Sequence, residues 1–152
     1  MQMKLFNKEK YQNALLVHLK GAQQADYVLL KVAQKGDQME ILSTTEGTEA
    51  LESIKGSKAF VVVNGQGLIN RIYEKETKNN TEWLLTALPG VKKEEFVLQT
   101  YSSQENMGIS IVRLSVLEDL LTQLNELEIA IEGLCIGPVS YTHLTLPTIC
   151  SV

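Results

Sequence analysis

Short apolar runs recur along this chain and are separated by polar, glycine-bearing segments typical of turns. Runs of four to eight residues favour strands, whereas apolar residues three and four apart favour helices. The pattern indicates a mixed α/β fold that is built mainly from antiparallel hairpins. It predicts strands over residues 14–19, 27–32, 39–42, 59–63, 68–73, 95–101, 108–113 and 129–136, and helices over 48–55, 82–88 and 116–127.

The middle of the chain carries the strongest local signal. The run 59–63 is continuous and β-branched, as expected of a strand that is buried on both faces. Asn64-Gly65 follows directly, and because a type I′ turn needs positive φ at both centre positions, this pair predicts a hairpin with the strand 68–73. A phosphate-binding loop at 65–67 is the alternative, and we reject it because the third glycine and the following helix of that fingerprint are missing.

The first three strands are predicted to form an antiparallel meander, with turns at 21–25 and 35–37. His18 lies inside the first of these strands. Because no second histidine remains nearby to complete a catalytic pair, we expect a satisfied structural histidine here and no catalytic role.

Capping residues mark the ends of the first two helices. Gly56 can supply the left-handed residue that stops the first helix. Asn79, Asn80 and Thr81 are competing N-caps for the second helix, which Pro89 ends.

The third helix carries its own start signal and an apolar stripe. Ser115 and Glu118 match the S-x-x-E capping box, in which each side chain satisfies a backbone donor at the helix start. A partner-binding role is an alternative for this stripe and for Trp83 in the second helix. We prefer packing in the core, because apolar residues at helical spacing inside a folded domain usually lie there. The stripe consists of Val116, Leu117, Leu120, Leu121, Leu124 and Leu127.

Composition and charge exclude several classes of protein. The 152 residues are 44% hydrophobic, enough for a real core, with a formal net charge of −4 and a pI near 5.2. A nucleic-acid binder would gather Lys and Arg on one face, and no basic stripe is present. Residues 1–12 are polar and lysine-bearing, and no later apolar run is long enough to span a bilayer, so we expect a soluble, cytoplasmic chain.

The last fifteen residues differ in character from the rest. Residues 139–148 resemble the translation of a transposon end that is used in sequencing libraries, and we expect residues 138–152 to be a non-native artefact. His143 and Cys150 then leave the set of candidates, and His18 and Cys135 remain. On that basis a disulfide, a His/Cys metal site and a Cys-His dyad are excluded within residues 1–137. We predict no catalytic, metal-binding or cofactor-binding residue.

Three loose motifs carry a resemblance to a known family. A valine-rich strand ends in a short turn at 61–65, and Arg71 in the next strand leads to the helix of Trp83. A later strand feeds a helix through 112–115, with leucines at Leu117, Leu120 and Leu121. Together the unit 68–113 resembles the small module inserted in the first lobe of the actin-like proteins of pilus assembly and type II secretion, namely the pilus M protein and the cytoplasmic domain of secretion protein L.

The resemblance covers most of residues 14–137. It implies one actin-like, ribonuclease H-like first lobe over 1–137, with an inserted strand-helix-strand-strand module over 68–114 and the artefact tail beyond. Nucleotide-binding actin-like proteins carry an Asp-x-Gly phosphate turn between their first two strands, and the same place here reads 18-His-Leu-Lys-Gly-21. The missing carboxylate would organise a metal beside the phosphates, so the resemblance implies a member that does not hydrolyse nucleotide.

The implied function is that of a bacterial inner-membrane assembly-platform scaffold, which binds protein partners and is not an enzyme. Its partners would be another platform component or the cytoplasmic peptide of a small membrane protein, and a homodimer stays open. Nucleic acid, cofactors and direct membrane contact are not expected, and the chain would sit in the cytoplasm at the inner face of the membrane. The alternatives are a truncated actin-like ATPase whose nucleotide site lies beyond residue 137, and a free-standing α+β domain.

Overall fold

The structure, a computed structural model, describes residues 11–21, 24–35 and 38–137. In this part of the chain, eight strands and three helices follow one another in the predicted order. They are β1 (Tyr11–Gly21), β2 (Gln24–Lys35), β3 (Gln38–Glu46), α1 (Thr48–Ser53), β4 (Lys58–Gly65), β5 (Ile69–Glu74), α2 (Asn80–Ala87), β6 (Phe96–Ser102), β7 (Asn106–Arg113), α3 (Leu114–Glu126) and β8 (Ala130–Ile136).

Five strands form the larger sheet, in the order β3-β2-β1-β4-β8. The antiparallel pairing of β1 with β2 and of β2 with β3 confirms the predicted meander. β4 lies between β1 and β8 and runs parallel to both. Its run from Ala59 to Val63 is buried throughout, as expected of a central strand with both faces covered.

One face of the larger sheet packs against α1 and α3. Leu15, Val17, Val61 and Val63 of β1 and β4 belong to this core and are at most 2% exposed. The helices contribute buried side chains spaced three or four residues apart, which confirms that the leucine stripe of α3 is core: Ala50, Ile54, Leu117, Leu120 and Leu124. Each fully buried leucine of this kind contributes about 2 kcal/mol through the hydrophobic effect.

The remaining three strands form a separate antiparallel sheet in the order β5-β7-β6. We call this sheet with α2, residues 69–113, the module. Trp83 and Leu84 of α2 pack on Ile109 and Ile111 of the central strand β7, and all four are at most 3% exposed. The interpretation of Trp83 as a core residue is therefore confirmed.

The predicted hairpin at Asn64-Gly65 is wrong. β5 pairs with β7 in the module and not with β4. Asn64 does not have the positive φ that a type I′ turn requires, and only Gly65, at φ 110°, has it. The physical reason is that both edges of β4 are already occupied by parallel neighbours, so the chain must leave the sheet here.

The predicted ends of α1 and α2 are confirmed with small shifts. Gly56 adopts φ 79° just beyond α1, where a left-handed residue was expected. Asn79 is the N-cap of α2, and its Oδ1 accepts from the Glu82 N–H at 2.8 Å while the Glu82 carboxylate accepts from the Asn79 N–H at 3.0 Å. This reciprocal pair is a capping box.

The capping box predicted at Ser115 and Glu118 is wrong. β7 stays paired as far as Arg113, which lies opposite Phe96, and α3 begins at the next residue, Leu114. Arg113 is therefore the N-cap, and no side chain caps the helix. Ser115 already lies inside the first turn, where its hydroxyl is past the position from which it could cap.

Three predictions lie wholly or partly outside the described residues, namely the turns at 21–25 and 35–37 and the artefact tail at 138–152. Within 11–21, 24–35 and 38–137, none of the helices has the length and apolar character needed to cross a bilayer.

Candidate interaction surface

The carboxyl ends of the parallel strands β1, β4 and β8 lie at one edge of the larger sheet, where ligands bind in many open α/β sheets. Gly65 lies directly against Leu19, so closely that a Cβ on Gly65 would be 2.4 Å from the Leu19 carbonyl oxygen. The next residue, Gln66, donates its N–H to that carbonyl at 2.8 Å. The backbone at the end of β4 thus packs against the end of β1, at the position where nucleotide-binding actin-like proteins carry their Asp-x-Gly phosphate turn.

Charged groups at this edge neutralise one another. Lys20 forms an ion pair with Asp26 at 3.4 Å, and both side chains are more than half exposed. Asp26 lies opposite His18 in the β1-β2 ladder, and sequence interpretation missed it because it considered only the residues before Gly21. Within the described ranges no three His, Cys, Asp or Glu side chains are grouped closely enough to hold a metal ion.

Two sequence expectations about single residues need correction. His18 is exposed rather than buried, because it lies on the face of β1 opposite to that of its neighbours Val17 and Leu19, which are in the apolar core. The exclusion of a disulfide depended on setting residues 138–152 aside. In the structure of the whole chain Cys135 is disulfide-bonded, so it is not a free thiol.

A polar junction joins the module to β8. The Gln99 side chain of β6 donates from Nε2 to the Leu134 carbonyl at 2.8 Å and accepts at Oε1 from the Ile136 N–H at 2.9 Å. A neighbouring strand would offer β8 the same donor and acceptor, so one amide side chain satisfies the outer edge of β8 where a ladder would otherwise continue.

Tyr101 and Ser110 complete this junction. The Tyr101 hydroxyl donates to the Ile136 carbonyl and lies 3.1 Å from Gln99 Oε1, and burial raises the pKa of Tyr101 to about 12. Ser110 is 1% exposed and donates to Asn70 Oδ1 at 2.7 Å. A Cβ on Gly137 would lie 2.0 Å from Ser110 Oγ, so the module closes on the backbone at the end of β8.

Exposed apolar side chains point to the surfaces that can bind other proteins. Ile72 of β5 is 76% exposed, the highest value among the large apolar residues of the described chain, and Leu85 on the outer side of α2 is 42% exposed. On the larger sheet the corresponding residues are Tyr11, Ile41 and Leu42. A contiguous apolar patch indicates a binding surface more strongly than a single exposed side chain does. Ile72 is a candidate contact residue only because it lies on an edge strand.

No site residue was predicted from the sequence. The structure shows why the residues of the junction and of the exposed surface could not be recognised from local sequence patterns. β6 is apolar over its first three residues and mostly polar from Gln99 onwards, so the sequence does not distinguish Gln99 and Tyr101 from other residues of a partly exposed strand. Their role depends on β8, which is more than thirty residues away. Ile72 resembles a core residue in sequence because periodicity does not say which face of a strand is covered.

Comparisons with known proteins gave a likeness in fold. No family model matches the chain, and no curated protein matches it. Among solved structures, the cytoplasmic domain of EpsL, an inner membrane component of the type II secretion system of Vibrio cholerae, superimposes with a TM-score of 0.54 over 82% of this chain at 19% identity. The chain shares the fold of that domain. The fold is actin-like, which confirms the predicted fold class.

The match spans 57% of the length of the EpsL cytoplasmic domain. At this level of identity the likeness concerns the fold. It agrees with the resemblance read from the motifs at 61–65, Arg71 and 112–115, which named the same domain.

Proposed function

We propose that this chain is the first lobe of a bacterial assembly-platform component, of the type found in type II secretion and type IV pilus machines, and that it acts by binding protein partners. The observation that carries this proposal is the likeness in fold to the EpsL cytoplasmic domain over 82% of the chain. In this proposal the chain works at the cytoplasmic face of the inner membrane.

A binding role without hydrolysis is supported by the residues at the end of β1. The position where nucleotide-binding relatives place a metal-organising aspartate holds Leu19, which is 8% exposed and part of the apolar core. The nearby carboxylate, Asp26, is paired with Lys20. Gly65 fills the space beside Leu19 with backbone, and the Gln66 N–H donates to the Leu19 carbonyl, so neither of these described groups is free to bind a phosphate.

The module is the part that we assign to partner binding. It has its own core around Trp83, and the junction through Gln99 and Tyr101 holds it at a defined angle on β8. A surface held rigidly loses less conformational entropy on binding. Leu85, on the outer side of α2, is the exposed apolar anchor of the helical side.

Nucleotide binding is the first test. Calorimetric titration with Mg·ATP of this chain, and of a longer protein that carries the second lobe which the proposal implies, is expected to show no saturable heat. Saturable binding by the longer protein would overturn the scaffold proposal in favour of an actin-like ATPase.

Partner binding is the second test. The chain is used as bait to co-purify proteins from a lysate of its host, and a retained platform protein is titrated against the parent chain and the Leu85→Lys variant. We expect that variant to weaken binding about tenfold, as loss of an apolar anchor does. Thr122→Lys adds the same charge on the exposed side of α3, the helix that packs on the larger sheet, and is expected to bind normally. Equal binding by the Leu85→Lys and Thr122→Lys variants would show that the α2 side of the module does not bind the partner.

A further inference from the structure

The outer edge of β5 is open in the described part of the chain. β5 pairs on one side with β7, and no described strand pairs with its other side. Both edge strands of the larger sheet are protected: Gln99 caps β8, and a bulge at Leu42, which the register skips between Lys31 and Val32, interrupts β3. In the module sheet β6 is the other edge strand, and it lies against β8 through the Gln99 and Tyr101 side chains. Bulges and side-chain caps are common ways to prevent an edge from recruiting another strand.

The direction of the backbone groups on β5 follows from one hydrogen bond. Lys75 continues the strand opposite Glu105, and its N–H donates to the Glu105 carbonyl at 3.1 Å. In an antiparallel ladder alternate residues point their N–H and C=O to the same side. Arg71 and Tyr73 therefore bond to β7, while the residues between them present their groups on the open edge.

A second contact agrees with this assignment. The carbonyl oxygen of Asn70 accepts from Arg71 Nη1 at 3.1 Å, which places that carbonyl on the side away from β7. Asn70, Ile72 and Glu74 thus direct three N–H groups and three carbonyls towards the open edge, and the Asn70 carbonyl would share its exposed Arg71 contact with a neighbouring strand or exchange it for one. The apolar side chain beside them, Ile72, is 76% exposed.

Taken together, the edge and its side chains point to one occupant. We propose that β5 pairs with β5 of a second copy of this chain, antiparallel and centred on Ile72. The two module sheets then join into one continuous six-stranded sheet across a two-fold axis. This inference goes beyond the proposed function and does not depend on it, because it concerns only the edge of β5.

The register follows from backbone direction and charge. Only registers that place outward-facing residues opposite one another can form the ladder. Centring on Arg71 places that cation opposite itself, and centring on Tyr73 places Arg71 opposite Lys75; like charges directly opposite are destabilising. Registers centred nearer the ends of β5 pair only a few residues.

The register centred on Ile72 has no such conflict. Ile72 lies opposite Ile72 of the second copy, Asn70 lies opposite Glu74, and Arg71 lies opposite Tyr73, where a guanidinium can sit on a phenol ring. Three outward-facing pairs with two bonds each give about six backbone hydrogen bonds. Such a contact buries less than a standard interface, so the dimer is reversible and its population rises with concentration.

The first experiment measures mass against concentration for the full chain by sedimentation equilibrium over about two decades of concentration. We expect self-association that Ile72→Lys abolishes, since it removes the apolar contact and places two cations opposite each other. Thr122→Lys, which adds the same charge on the exposed side of α3, is expected to associate like the parent chain. A parent chain that stays monomeric, or an Ile72→Lys variant that associates normally, would overturn the proposal.

The second experiment tests the register and does not rely on a disruptive change. In the proposed ladder the two Ile72 Cα atoms lie about 5.5 Å apart, a separation that a disulfide spans. Ile72→Cys is therefore expected to cross-link under mild oxidation well above the level of the unsubstituted chain. Glu74→Cys, on the same strand, lies about 13 Å from its own copy and is expected to stay at that level. Equal cross-linking at both positions would contradict the register and the proposal.

Discussion

The two sheets of this molecule are stabilised in different ways. The larger sheet gains its stability from an apolar face that is covered by α1 and α3, with Leu15, Val61 and Leu124 fully buried. The module has such a core only on its α2 side, and its other side joins β8 through hydrogen bonds from Gln99 and Tyr101. Apolar burial is non-directional, whereas hydrogen bonds fix an angle. The difference shows that the module is built to be held in one orientation.

The largest expected effect lies where the chain passes from one sheet to the other. Gly65→Ala would place a Cβ 2.4 Å from the Leu19 carbonyl oxygen and 2.6 Å from its nitrogen, and backbone atoms cannot move aside as a flexible side chain can. We expect urea unfolding to show a loss of about 4 kcal/mol or more. Gly67→Ala is the control, since Gly67 also has positive φ, at 92°, but open space around it. Its expected cost is about 1–2 kcal/mol. Equal losses would show that the close approach at Gly65 does not matter.

The next effect tests whether the two cores are separate. Trp83→Ala removes the largest side chain of the module core, which is 1% exposed, and is expected to cost about 3–5 kcal/mol. Hydrogen exchange should then accelerate in β5, β6 and β7 while the larger sheet keeps its protection. Leu124→Ala is expected to show the reverse distribution. Uniform acceleration by both variants would mean that the two sheets unfold as one unit.

The polar junction should contribute less. Gln99→Leu leaves the Leu134 carbonyl and the Ile136 N–H without their partner, which is expected to cost about 2–4 kcal/mol. Thr100→Val, at the exposed next position, serves as the control. The measurement is chemical denaturation, with exchange of the Ile136 amide as the local readout. An unchanged Ile136 amide in Gln99→Leu would refute the capping of β8.

Tyr101 gives the junction a dependence on pH. Its pKa is raised by burial to about 12, above the ordinary value of 10.0, so the folded state binds the phenolic proton more tightly than the unfolded state. That contribution is complete below pH 10 and is lost as the pH rises towards 12. Tyr101→Phe should lose about 1 kcal/mol near neutral pH and should then fall less steeply between pH 10 and 12. Parallel pH curves for the two proteins would contradict this account.

The smallest expected effect separates a real cap from an apparent one. Asn79→Ala removes the capping box of α2 and is expected to cost about 1 kcal/mol. Ser115→Ala should change the thermal midpoint very little, because Arg113 and not Ser115 is the N-cap of α3. A larger loss at Ser115 than at Asn79 would reverse the assignment of the two caps.

These elements also show where sequence interpretation succeeds. Asn79 was among the predicted caps because a cap acts within a single turn, and the apolar stripe of α3 was predicted because it repeats at helical spacing. The hairpin at Asn64-Gly65 failed for a non-local reason. The glycine is needed for its approach to Leu19, and both edges of β4 are filled by strands distant in sequence.

The candidate surfaces were harder to predict than the fold. Gln99, Tyr101 and Ser110 act through partners on β8 or β5, so no local pattern marks them. The openness of the β5 edge is likewise a property of the strand order. Sequence periodicity shows which residues share a face of a strand, but it does not show where the strand lies in a sheet.

The order of the strands in the larger sheet also has a consequence for the time course of folding. The antiparallel pairs of β1 with β2 and of β5 with β7 join segments that lie closer together in the chain, whereas β8 pairs with β4 across the whole module. Contacts between distant segments form slowly, because a long loop must close before they contribute. We therefore expect β8 to be the last strand to form its native contacts. Gln99 can form its two hydrogen bonds only when β8 is in place. The time at which the Ile136 amide becomes protected from hydrogen exchange during refolding therefore measures when this last step occurs.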